Sequence, residues 1–166
     1  DSLGAGIILS QTVYATKNIE ITDYIYGKDL GPTNSSSYIL GGLEDQNHIT
    51  SRFEMYANED LYSLRAYIAD NSTVGAEVKA IIYEVDSTVS NANGGAILIA
   101  ESDDYTITAQ DRGAWVDIPF VDPVNLSNGY AYEFGIVGYQ HPSLESYIGL
   151  SGSSMYNGEH SLFDEL

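Results

Sequence analysis

Apolar and polar residues alternate with a period of two from one end of this chain to the other, and the three-to-four-residue spacing of an amphipathic helix is nearly absent. A chain patterned this way buries one face of each extended segment and leaves the other to water, so the reading is all-β. In the run 61–68, Tyr62, Leu64, Ala66 and Ile68 share one face, and Ser63, Arg65 and Tyr67 the other. The run 76–85 directs Val78, Ala80 and Ile82 inward but is also apolar at Ile81, Tyr83 and Val85, which predicts a central strand. In the longest predicted strand, 130–139, Tyr130, Tyr132, Phe134 and Ile136 alternate with Ala131, Glu133, Gly135 and Val137.

Shorter runs at 7–14, 18–22, 37–40, 51–56, 96–101, 105–108, 114–120, 147–150 and 160–163 bring the total to about a dozen strands, the number expected of a sandwich or barrel. Turn residues separate them at Gly31-Pro32-Thr33-Asn34, Gly41-Gly42, Asp70-Asn71-Ser72, 91–95, Asp122-Pro123 and Ser127-Asn128-Gly129. With no internal repeat, 166 residues make one domain, expected as an antiparallel two-sheet β-sandwich of jelly-roll type with almost no helix. Residues 1–45 are less regular and are expected as lead-in strands packed on the same domain, with the sandwich module at 46–166. The run Gly6-Ile7-Ile8-Leu9 reads as a first strand, or as a strand donated to a neighbouring subunit.

Charge narrows function. Twenty-four acidic residues against six Lys and Arg leave a net charge of −18, a surface that repels phosphate backbones and anionic lipid and attracts cations. Neither a nucleic-acid partner nor membrane insertion is expected, since no run approaches the roughly 18 apolar residues of a span. The absence of Cys removes disulfides, thiol chemistry and cysteine zinc sites. The start at Asp1, without Met or a basic leader, is expected of a processed or excised module.

Catalytic motifs are thin. Gly149-Leu150-Ser151-Gly152-Ser153 lacks the second Gly of a nucleophile elbow, and Gly4-Ala5-Gly6 lacks the third Gly of a phosphate loop. His48, His141 and His160 have no zinc-ligand spacing and are expected as solvated loop residues. Among so many acids some pair will always face another, so carboxylates alone do not indicate a glycosidase. Calcium, which takes several loop oxygens, is the one cofactor entertained: Glu101, Asp103 and Asp104 with Asp111 form the best cluster, and Asn58-Glu59-Asp60 a weaker one. The alternative is a solvated acidic surface.

Fourteen Tyr exceed what a core needs, and Tyr24, Tyr26, Tyr139, Tyr147 and Tyr156, at strand ends or in loops, are the candidates for ligand contact, against plain β propensity. Trp115 lies across its strand from Val116, Ile118 and Phe120 and is expected to cap an end of the core. The sequons at Asn34, Asn71 and Asn125 are all expected in loops.

An ordered set of pieces runs from Arg52-Phe53 through Leu64, Tyr67-Ile68, Val74-Gly75-Ala76, 80–83, 100–103 and 105–108 to Gly113-Ala114-Trp115-Val116. It continues with Pro119-Phe120, Pro123-Val124, Leu126, Gly129, Tyr132 and Gly135. In this order the stretch 51–164 resembles a β-sandwich module of large secreted and cell-surface proteins of Bacteroidetes, including adhesins exported by type IX secretion. The resemblance implies a secreted or cell-surface, non-enzymatic module contributing to adhesion or a structural stalk. Its partners would be surface glycans or other domains of the same large protein. Two alternatives are a carbohydrate-binding module of a secreted glycoside hydrolase and a strand-exchanging extracellular filament subunit.

Overall fold

The computed structural model describes residues 32–41, 47–85, 95–151 and 160–164, and within them the chain is entirely strand and turn. The strands in chain order are β1 (Pro32–Gly41), β2 (Asn47–Glu54), β3 (Glu59–Ile68), β4 (Glu77–Val85), β5 (Ala96–Glu101), β6 (Tyr105–Thr106), β7 (Ala114–Leu126), β8 (Ala131–Gly138), β9 (Ser146–Ser151) and β10 (His160–Asp164). They form two antiparallel sheets, in the orders β1-β9-β3-β7 and β10-β2-β8-β4-β5, with β6 pairing the first residues of β4. Setting aside β6 and β10, the chain crosses between the sheets at every step except β4 to β5, the order of a jelly roll, two Greek keys folded face to face. The expected runs 7–14 and 18–22, and the segment Ile7-Ile8-Leu9, lie outside the described residues.

Between the sheets the described residues form one apolar cluster. Val78, Ala80 and Ile82 of β4 are fully buried, as expected, and meet Ala66 and Ile68 of β3, Val116 and Ile118 of β7, and Tyr132 and Ile136 of β8. The Tyr132 ring is buried, yet its hydroxyl accepts a hydrogen bond from the Ser127 amide at 3.0 Å, so its polar tip is satisfied. Gly129, at φ +83°, makes the tight turn just before β8 in a conformation L side chains rarely adopt. The central strands β4 and β8 are buried on both faces. On the face away from the cluster, Thr50 donates to the Glu133 carboxylate at 2.8 Å and Tyr83 pairs with His48 Nδ1 at 2.9 Å. His48 is therefore a buried strand residue and not a solvated loop histidine.

Four further expectations need correction. Tyr62 is 63% exposed, and Leu61 packs inward instead. Leu61 pairs with Val124 and Ser63 with Pro119, so β7 carries extra residues across this step and the bulge reverses the local alternation. The longest described strand is β7, not β8, because it runs through Asp122-Pro123. Proline is tolerated there since β7 is the last of the described strands in its sheet and no described strand takes a hydrogen bond on its outer side. β1 likewise opens on Pro32, where a break was expected, since the first residue of a strand can lack its donor. Sequons Asn34 and Asn125 lie in β1 and β7, and only Asn71 sits in a turn.

Core and surface positions differ in what truncation should cost. Ile82→Ala empties space in the centre of the cluster and is expected to lower stability by about 2–5 kcal/mol. Val121→Ala, at a position 70% exposed, should stay within about 0.5 kcal/mol. Denaturant midpoints of the two variants check both values.

Candidate functional site

The ladder between β3 and β7 sets Ala66 opposite Val116 and Leu64 opposite Ile118 on the core side. The alternate positions, Tyr67 opposite Trp115 and Arg65 opposite Asp117, are thereby turned to the outer face of the four-stranded sheet. Trp115 is 42% exposed, and its ring meets Tyr67 edge to face, with centroids 5.6 Å apart and planes at 72°. It is thus a surface residue rather than the expected cap on the core. The β7 alternation holds from its first residue, and Val116 takes the inward place.

The neighbouring strand β9 supports this platform. Ile148 points to the core, so Tyr147 and Gly149 face outward with Tyr67. The Tyr67 ring lies over Gly149, where an added Cβ would come within 2.5 Å of Tyr67 Cδ1. Only glycine leaves room for that ring. Beside the aromatic pair, the Arg65 guanidinium grips Asp117 with two bonds, Nε to Oδ1 at 2.6 Å and Nη2 to Oδ2 at 2.8 Å. These bonds hold the Asp117 carboxyl below the usual aspartate range. Tyr147 donates to Glu145 at 2.9 Å, and this carboxylate pushes the phenol above its ordinary value. Two aromatic rings at different inclinations beside a planar ion pair are suited to a ring-shaped ligand with an apolar face and polar edges.

The remaining candidates separate. Tyr24, Tyr26 and Tyr156 lie outside the described residues. Tyr139 donates to Asp104 Oδ1 at 2.5 Å and stands near Lys79, whose Nζ is 5.7 Å from the ring centroid. The same ammonium is 3.5 Å from Glu101 Oε2 and 3.7 Å from Asp104 Oδ1. The Tyr139 hydroxyl and then these carboxylates raise the Lys79 pKa, so it stays charged. Asp111 faces another way, accepting the Thr108 amide at 2.7 Å and its hydroxyl at 2.8 Å. Burial pushes the Asp111 carboxyl up, but these bonds and one from Tyr105 outweigh it and hold the pKa low. Asp103 is exposed. Among the described residues no three His, Asp or Glu stand close enough to hold a metal ion.

A concavity of about 590 Å³ opens where β2 and β4 end and β8 begins, with Tyr56, Tyr130, Arg52 and Glu84 on its walls. Tyr56 and Tyr130 are 83% and 50% exposed, and Tyr56 donates to Glu54 at 3.1 Å. No protein-family model matches this chain, and a search of curated proteins finds none similar to it.

Two measurements check the electrostatics. The depressed Asp117 pKa contributes stability at neutral pH that is lost as pH falls through its lowered value. Both partners are about half exposed, so the contribution is expected within about 1 kcal/mol. Titration of the Asp117 carboxyl by NMR should give a midpoint below that of a model aspartate, returning toward it in Arg65→Met. Because Lys79 already supplies the positive charge between Glu101 and Asp104, millimolar calcium should raise the melting temperature no more than sodium chloride of equal ionic strength.

Proposed function

We propose that this chain is a non-enzymatic module of a secreted or cell-surface protein, and that it contributes to adhesion by binding neutral glycans on the outer face of its four-stranded sheet. The observation that carries this reading is Trp115, a large aromatic ring left 42% exposed on a sheet face and braced by Tyr67. A pyranose offers an apolar face of C–H groups for such a ring and hydroxyls for the Arg65–Asp117 pair at its side. Flat aromatic area fixed by packing binds with little ordering cost, the economy used by tyrosine-rich contact surfaces. Net charge −18 favours neutral over sulfated or uronate-bearing sugars. The same face also suits a carbohydrate-binding module of a secreted glycoside hydrolase, and the domains flanking it in the parent gene separate that reading from an adhesin.

A glycan array probed with the intact chain should report neutral oligosaccharides. Trp115→Ala and Tyr67→Ala should each weaken binding about tenfold, or about 1.4 kcal/mol, and leave the melting temperature nearly unchanged for Trp115→Ala. Failure of the unaltered chain to bind any glycan would overturn the proposal. Wild-type binding by Trp115→Ala with loss in Tyr130→Ala would move the site to the concavity at the strand ends.

A further inference from the structure

The strand β5 carries an apolar run on an edge. Among the described strands it ends the larger sheet, with β4 on one side, and Ile97, Leu98 and Ile99 are 40%, 50% and 40% exposed. Opposite it stands β7, the last described strand of the other sheet, with Val121 70% exposed. Between these two edges runs a groove of about 560 Å³, floored by Ile99, Ala100, Phe120 and Val124. The edges are not equally protected. β7 contains Pro119, Pro123 and the bulge, each of which discourages an added strand. β5 contains neither Pro nor Lys, and its only irregularity is a bulge at Ile99. From Ala96 to Leu98 its register with β4 is regular.

We propose that this groove receives an extended segment of a partner protein in which apolar residues alternate with Lys or Arg, and that the segment adds to β5 as a further strand. Main-chain pairing with an edge supplies affinity without regard to sequence, and alternate side chains supply the choice of partner. Apolar residues on one side would cover Phe120 and Val124. Charge narrows the choice further: Glu84, Glu101 and Asp122 line the same groove and no Lys or Arg does, so it favours a segment that carries basic side chains beside its apolar ones. Glu101 shares Lys79 with Asp104, whereas no described Lys or Arg forms an ion pair with Glu84 or Asp122. A second copy of this chain brings the same −18 charge to the contact and is disfavoured.

The test uses the intact chain and fluorescein-labelled eight-residue peptides, read by fluorescence polarisation. A peptide of alternating Lys and Val should bind. Its Glu-for-Lys counterpart and a version with methylated backbone amides should each bind at least tenfold more weakly. Leu98→Lys combined with Val121→Lys, both at exposed positions, should weaken the Lys/Val peptide by a similar factor while the circular dichroism spectrum is unchanged. Hydrogen exchange should slow at 97–100 on binding. Equal affinity for the methylated peptide would reduce the effect to general charge attraction and overturn the proposal, as would absence of binding. A concentration-dependent dimer that the double substitution abolishes would overturn it in favour of a second copy.

Discussion

The register between β3 and β7 is the constraint on which the rest of the domain depends. Ala66 opposite Val116 and Leu64 opposite Ile118 build the core, and the intervening pairs, Tyr67 with Trp115 and Arg65 with Asp117, build the outer face. Because successive side chains point to opposite sides, a slip of one residue would exchange the two sets, burying a guanidinium and a carboxylate and exposing the core. The apolar cluster therefore fixes the platform as firmly as it fixes itself. No separate device is needed to aim Trp115.

Among the described strands β7 and β5 each end a sheet, and they manage those edges by different means. β7 is lengthened through two prolines and a bulge, which explains how a thirteen-residue strand can sit at a sheet end without inviting a partner. β5 is short, bulged at Ile99 and bordered by carboxylates, yet it exposes three consecutive apolar side chains. Short length and acidic borders restrain pairing between copies of an acidic chain without blocking a basic strand. An unguarded edge and a selective one differ here only in the sign of the neighbouring charge.

Although β5 is legible only as an apolar run, alternation made the sandwich itself legible, since β7 and β8 each show it over five residues, at 116–120 and 132–136. It was misleading at Tyr62, where extra residues in β7 reverse the phase, because a bulge leaves no mark in the sequence of the strand it faces. It was equally silent at Pro123, since nothing local says that a strand lies at an edge. The platform was half visible. The alternation of Trp115 and Asp117 with Val116 and Ile118 placed both on one side, but bringing Arg65 and Tyr67 beside them needs a pairing between segments some fifty residues apart. The acidic cluster shows the same limit. Glu101 and Asp104 are neighbours in sequence, while the ammonium between them comes from Lys79 on another strand, and Asp111 is engaged by its own turn.

Cations are scarce in this chain, and where they stand governs what the acidic surface can do. Of the six, Arg52, Arg65, Lys79 and Arg112 fall in the described residues. Arg65 locks Asp117, Lys79 lies among Glu101, Asp104 and Tyr139, and Arg112 Nε bonds the Asp70 carbonyl at 2.7 Å. Each organises a local geometry rather than neutralising the molecule as a whole. The long-range field stays negative, decaying over about 8 Å at physiological salt, while the aromatic face contains a closely matched pair of opposite charges. A ligand at that face meets dipoles and ring surface rather than net charge, and a ligand at the β5 edge meets carboxylates. One acidic domain can in this way offer two surfaces of different character, the first suited to neutral rings and the second to a basic strand.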